Sequence, residues 1–367
     1  MPEDGTRETT FSVMPEATMT EVGIPTEERI RRALDHLRND TTDEFDHVTW
    51  FEPREFTDPT IAQLERDRVF GRVPSIVLHG SEIPKSGDFV TLQLPRNNVI
   101  VVRRDDGTLR TVTRDNTFEN ADVDQRNLVQ LPTEERHGFV WVVDDADAEI
   151  DVAEWLGPEM DTIIGSYGLD KMVTTRVQTF DEPVNWKLMQ DAFLDGYHIQ
   201  YAHPNTAAKH IHTNVMVFED FGRHCRFLSL RKSIDRWIEE DPGDRSLAEH
   251  QSGGQFVGPN STLLNQPGHF QLLTFRPDRN DPQRCRMEIR LIAPSVEESG
   301  LTEERYNRIW DKNVEILNAV LYSEDFPILR DSQQVMNSAN AGNLILGRNE
   351  VANQVFRREI KKLLDTN

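Results

Sequence analysis

Asp195, His198 and His203 lie in one short stretch, Asn185 to Pro204 (NWKLMQDAFLDGYHIQYAHP), which otherwise reads as a buried helix. Two neutral imidazoles and a carboxylate on one face of a divalent iron leave three adjacent coordination positions open, the arrangement in which O2 and a substrate can meet. The stretch offers two such imidazoles locally. His198 and His203 are separated by about 140° around an ideal α-helix, so both reach one ion only if the helix is bulged or ends between them; Pro204 is consistent with an end. Asp195 and His198 stand at i and i+3 on one face. A carboxylate there can bond the non-ligating nitrogen and fix the tautomer, so Asp195 is expected to orient a ligand, not to be one. Two histidines and an aspartate on a half-buried helix are equally the makings of a satisfied polar cluster, and the spacing alone leaves both readings open.

The elements that must position this stretch can be read along the chain. Residues 1–24, rich in Thr, Glu and Pro, are expected as a mobile arm. Glu27–Asn39 has a helical apolar period and is expected as a short surface helix, a candidate oligomer contact. Asp58 and Pro59 open a second helix, Thr60 to Phe70, as cap and first residue. From Val73 to Val143, short β-branched and aromatic runs (VPSIVLHG, FVTLQL, VIVVRR, LRTVT, GFVWVV) alternate with turns, including a hairpin signal at Asp106-Gly107. Thr113 to Gly138 lacks that pattern. An acidic linker from Asp144 leads to further strands (MVTTRVQTF, NVMVFEDF, HCRFLSLR, HFQLLTFRP, RCRMEIRLIAP) and two long closing helices, roughly Glu303–Glu324 and Asn349–Leu364. Strands and then helices, without regular βαβ alternation, predict an α+β fold with an antiparallel sheet wrapped on helices. The divisions expected are an arm and surface helix (1–45), a β domain (46–147) and a second, larger domain (148–367).

Composition narrows the partners. The 367 residues hold 37% hydrophobic side chains, with six Trp and 18 Phe, enough for real cores. A formal charge of −22 and no clustered basic face argue against nucleic acid or an anionic membrane. No apolar run of membrane-spanning length and no signal-peptide pattern occur, so a cytoplasmic protein is expected. Cys225 and Cys285 suit neither a disulfide framework nor a metal site and are expected to be inert, buried thiols. His210 and His212 are expected at the surface or a strand edge, His79 and His137 in ordinary packing, and Arg284 to Arg290 along a solvated strand edge. No dinucleotide fingerprint or Ser/His/Asp arrangement is present.

N-W-K followed by D-G-Y-H-I-Q-Y-A-H-P resembles the mononuclear iron motif of the Rieske non-haem iron ring-hydroxylating oxygenases. Residues 50–110 and the strand Arg136 to Val142 are similar to parts of that family's Rieske domain, so the likeness runs over roughly residues 46–367. The resemblance implies a Rieske-like β domain followed by a helix-grip (START-like) catalytic domain. It implies His198 and His203 as Fe(II) ligands and Asp195 as the carboxylate bridging towards a neighbouring subunit's cluster. It further implies a third ligand from the C-terminal helix, for which Asp325 in S-E-D-F-P is chosen, with Asp331 and Glu324 as competitors.

The chain departs from the family at one place. A Rieske 2Fe–2S centre takes two cysteines and two histidines, as C-x-H and C-x-x-H. Neither motif is present, and both cluster loops are missing together near Asp106-Gly107. A mononuclear Fe(II) site without a 2Fe–2S cluster is therefore expected. Three functions follow: an oxygenase component drawing electrons from a Rieske or ferredoxin-type protein and its reductase; an iron enzyme needing no external electrons, through substrate oxidation or Lewis-acid chemistry; or a non-catalytic ligand-binding subunit of a complete oxygenase. The substrate expected beside O2 is a small apolar molecule, aromatic, terpenoid or steroid-like, from strand faces such as NVMVF and FQLLTF. The assembly expected is a homotrimer or a hetero-oligomer with a complete paralogue.

Overall fold

Ile30, Ala33 and Leu34 form one face of the first helix, α1 (Thr26–Asn39), and are buried against Val217, Leu228 and Leu230. The expected surface helix is therefore a packed one, because its apolar stripe finds a sheet face. The computed structural model describes residues 26–113, 128–243, 245–338 and 340–366; the arm expected over residues 1–24 lies outside them. After β1 (Thr49–Phe51), α2 (Pro59–Glu65) begins as expected, with the Asp58 carboxylate accepting from the Thr60 amide at 2.8 Å, and runs on as a π turn to Phe70.

The β region folds as two small antiparallel sheets. One orders β2 (Ser75–His79) beside β8 (Phe139–Val142) and β7 (Thr133–Arg136); the other runs β3 (Phe89–Gln93), β4 (Asn98–Arg103), β5 (Leu109–Thr113) and β6 (Gln130–Leu131). The segment from Thr113 to Gly138, which lacked strand pattern, contributes β6 and β7, and residues 114–127 lie outside the description. Asp106-Gly107 closes β4 on β5 as a tight turn, with Gly107 at φ 82° and the Thr108 amide bonded to the Asp106 carboxylate at 3.0 Å.

The acidic linker is partly helical: Asp151 caps α3 (Val152–Ser166), and Gly157 at φ 70° kinks it before Pro158. The charge run conceals Val152, Trp155, Leu156 and Met160, which form an apolar core with Trp141. A seven-stranded antiparallel sheet follows, built from β9 (Val173–Glu182), β10 (Val217–Asp220), β11 (Cys225–Leu230), β12 (Gln251–Val257), β13 (Ser261–Gln266), β14 (His269–Pro277) and β15 (Cys285–Ala293), in the order β10-β11-β12-β13-β14-β15-β9. Two short helices, α4 (Trp186–Asp191) and α5 (His198–Ala202), leave the sheet between β9 and β10. Strands β12 and β13 were not anticipated; QSGGQFV and STLLNQ lack the alternation that marks a strand, and the sheet recruits them by pairing. Strand β15 is interior, not an edge. Its Arg290 is buried between Glu288 and Glu82 at 2.8 Å each, which corrects the solvated reading of that run.

The chain closes with α6 (Val296–Ser299), α7 (Glu303–Val320), a π turn Leu321–Asp325, α8 (Phe326–Met336), β16 (Leu344–Leu346) paired to β1, and α9 (Val351–Asp365). Leu321, Phe326, Val355 and Phe356 pack with Phe256, Leu273, Phe275 and Met287 from one sheet face. This is the α+β arrangement expected, with the C-terminal helices gripped by the curved sheet. No helix among the described residues is long and apolar enough to cross a membrane.

Candidate metal centre

Asn185 starts the stretch. Its side chain accepts from the Lys187 amide at 2.9 Å and donates to the Phe56 and Pro282 carbonyls, while its own amide donates to Gln333 of α8. Trp186 and Lys187 then bury their polar tips on Glu65 of α2: the indole donates at 2.8 Å and the ammonium pairs with the other carboxylate oxygen. Asp191 pairs with Arg357 of α9 and accepts from Asn353. The stretch is thus bolted at three points to elements far apart in sequence.

The single helix expected over Asn185 to Pro204 is broken into α4 and α5. Between them Asp195 accepts from the backbone amide of His198, and bonds its Nδ1, at 2.9 Å each. Helix α5 is short and His203 terminates it, with φ −118° and ψ 41°. With the helix ending there, the two imidazoles stand 5.3 Å apart between ring centroids, tilted by 73°.

The third group arrives from the other end of the chain. Pro327 has no N–H for the carbonyl four residues back, and the preceding turn widens to π geometry. Glu324 and Asp325 consequently both reach His203: Glu324 bonds Nδ1 at 2.6 Å and Asp325 lies 3.1 Å from Nε2. One donor atom each from His198, His203 and Asp325 lies within 4.8 Å of the others. With Nδ1 of both rings bonded to a carboxylate, Nε2 is the nitrogen each ring has left for an ion, that of His203 on the side where Asp325 lies. These three residues can hold a metal ion. The two alternatives to Asp325 fall elsewhere: Glu324 stands behind His203, where Thr206 also donates to it at 2.7 Å, and Asp331 is exposed.

The electrostatics suit a cation. Burial disfavours a charged His198 ring, but the Asp195 hydrogen bond and the charges of Asp195 and Asp325 outweigh it and raise its pKa. His203 is raised likewise, burial being overcome by Asp325 and Glu324. Burial and the charges of Asp195 and Asp191 push Glu350 up to about 7, and burial together with Glu350 and Asp195 pushes Tyr197 up to about 12.

A family model described as the ring hydroxylating alpha subunit (catalytic domain) matches residues 169–366. The chain belongs to the ring-hydroxylating alpha-subunit family. Within that family, the large subunit of anthranilate 1,2-dioxygenase from Acinetobacter baylyi is 27% identical over 195 residues, 41% of each chain. The oxygenase subunit of carnitine monooxygenase from Acinetobacter pittii is 25% identical over 207 residues, 44% of this chain and 54% of that one. The chain therefore spans about half the length of the curated relatives it matches. Two solved structures share its fold. A quaternary ammonium Rieske monooxygenase in complex with L-carnitine has a TM-score of 0.68 at 16% identity, covering 94% of this chain and 100% of that one. Naphthalene 1,2-dioxygenase from Rhodococcus sp. bound to indole has a TM-score of 0.61 at 16% identity, covering 92% and 98%.

The remaining polar residues singled out from sequence lie off the centre. His210 is exposed and His212 bonds Asp235 at 2.6 Å. His79 is buried against the Leu169 carbonyl at 3.1 Å, and His137 pairs with Asp161 at 2.7 Å. Cys225 and Cys285 are free and buried, and burial raises both thiols. Sequence reasoning missed Glu324 as the partner of His203, having weighed it only as a ligand; the adjacent acids before Phe326-Pro327 were the available signal.

Proposed function

We propose that the chain is a mononuclear Fe(II) oxygenase component that hydroxylates an apolar substrate with O2 and takes its electrons from a cluster on another protein. The observation that carries this reading is the convergence of His198, His203 and Asp325, with each imidazole held from behind by a carboxylate. The donor set, two nitrogens and one oxygen, fits a divalent iron with open positions. Bound there, the iron would supply the O2 chemistry. Asp195 and Glu324 hold the protons on the two Nδ1 atoms and so keep both Nε2 lone pairs turned inward. Phe193, Phe227 and Leu264 line the adjoining cavity and make its body apolar.

The cluster implied by the Rieske-type fold neighbours does not fit this chain. Such a centre needs two cysteines and two histidines. The only cysteines of the 367 residues are Cys225 and Cys285, both in the seven-stranded sheet, and residues 80–136 contain no histidine. The turn at Asp106-Gly107 joins β4 directly to β5. Hydroxylation of an unactivated substrate consumes one electron pair beyond those the substrate supplies, and a separate donor must bring it.

Metal analysis and electron paramagnetic resonance of the purified protein test the iron. One mononuclear iron per chain, lost in His198→Ala, is expected; unchanged iron in that variant sinks the site. Turnover is expected only when a reductase and a cluster protein are added. Turnover without them would select the donor-independent reading, and a chain that takes up no iron would select the non-catalytic one.

A further inference from the structure

A cavity of about 250 Å³ adjoins the triad and, under the function proposed above, holds the molecule to be oxidised. Its body is apolar. It has no lysine or arginine in its lining, and its four titratable side chains, Asp195, His198, His203 and Asp325, all belong to the metal-holding end. Polar groups occur at one other place, where Ser229, Ser252, Gln266 and Gln271 share the sheet face that looks into the cavity.

The register fixes where that patch lies. Ser229 stands opposite Ser252, Gln271 opposite Leu264, and Gln266 opposite His269. The His269 ring meets Trp310 edge-on at 5.3 Å. Trp310 precedes Asp325 by about four helical turns, so the row holding Gln266 and His269 lies on the Trp310 side of the cavity.

These groups have hydrogen-bonding capacity to spare. The Ser229 hydroxyl is committed, donating to the His212 carbonyl at 2.6 Å. The Gln271 amide makes only a long 3.4 Å contact with His269 Nε2, and the Gln266 and Ser252 side chains have no hydrogen-bond partner among the described residues. A primary amide offers both donors and an acceptor. Once a ligand fills the cavity, one that leaves those groups unpaired is selected against.

We propose that the cavity selects an uncharged molecule of one or two rings bearing a carbonyl or hydroxyl group, which Gln266 and Gln271 hold while the opposite end faces the triad. A carboxylate is rejected, because no cation in the lining offsets burial of its charge and two aspartates repel it. A four-ring skeleton is rejected by volume, since the cavity of about 250 Å³ falls below the roughly 300–1,000 Å³ usual for ligand sites.

Calorimetric titration of the full chain with indanone, indane and an indane carboxylate tests this. Indanone is expected to bind about tenfold more tightly than indane, the worth of one or two net hydrogen bonds, and the carboxylate not detectably. Gln266→Leu and Gln271→Leu, singly and together, should erode the preference for indanone without weakening indane. Equal affinity for indane and indanone in the unaltered protein, or carboxylate binding as tight as the ketone's, overturns the proposal, with no variant required. The titration needs neither turnover nor an electron donor. Iron-free protein that still prefers the ketone would therefore refute the oxygenase reading and uphold this one, whereas iron-loaded protein without the preference would do the reverse.

Discussion

Glu324 and Asp325 are neighbours in the chain yet address opposite nitrogens of one imidazole, at 2.6 and 3.1 Å from His203. A carboxylate behind a ligand histidine sets its tautomer and raises its basicity, and losing such a partner weakens metal binding about 10–100-fold. Glu324→Ala should lower iron affinity by that factor in a chelator competition, with one iron still bound at saturation. Asp331→Ala, at an exposed position, should leave the affinity unchanged. The spacing offered His198, His203 and Asp195 as candidates while leaving a polar cluster open; the family resemblance chose the iron reading and added Asp325. What no spacing shows is that the π turn before Pro327 sends both acids to the same ring.

At the scale of elements, the end of α5 at His203 does what a continuous helix cannot. Because α5 ends at His203, the 140° separation of an ideal helix no longer applies. The anchor is Asn185, which caps α4 and joins it to α8 and to the Phe56 and Pro282 carbonyls. Asn185→Ala should therefore cost about 3 kcal/mol in urea unfolding, a lost cap plus orphaned buried groups. Asp144, which leads out of β8, titrates unusually: burial pushes its carboxyl up to about 6 despite bonds from Asn97 and the Arg96 amide. Between about pH 4 and 6 the native state holds a proton that the unfolded chain has released, so this group's stabilisation is present at low pH and lost as pH rises. The stability of Asp144→Asn relative to the unaltered protein should rise by about 3 kcal/mol across that interval in urea unfolding at each pH. The linker was read as a charge run, and the burial of its first aspartate was hidden by the acids that follow.

For the whole molecule, the decisive contacts join α2 to the stretch that carries His198 and His203. Lys187 and Glu65 are both almost fully buried, and burial holds the Lys187 ammonium below its usual pKa against the opposing pull of Glu65. Removing one partner leaves a buried charge uncompensated, so Lys187→Met should cost about 3–5 kcal/mol of unfolding free energy. Because Glu65 also receives the Trp186 indole, the loss should propagate to iron retention, which metal analysis of the folded variant would register as a lower iron content. The two glutamines of the cavity belong to this scale too: they meet only because β13 and β14 pair.

By itself the sequence determined the α+β class, most strands, the cap at Asp58 and the turn at Asp106-Gly107, because each rests on local pattern. It also determined that Asp195, His198 and His203 share a stretch. Tertiary structure alone decided that the stretch breaks in two, that Asp325 closes the triad with Glu324 behind it, that α1 and Arg290 are buried, and that QSGGQFV is a strand. Those outcomes depend on partners more than a hundred residues away or across a sheet, and long-range pairing leaves no signature in a local window.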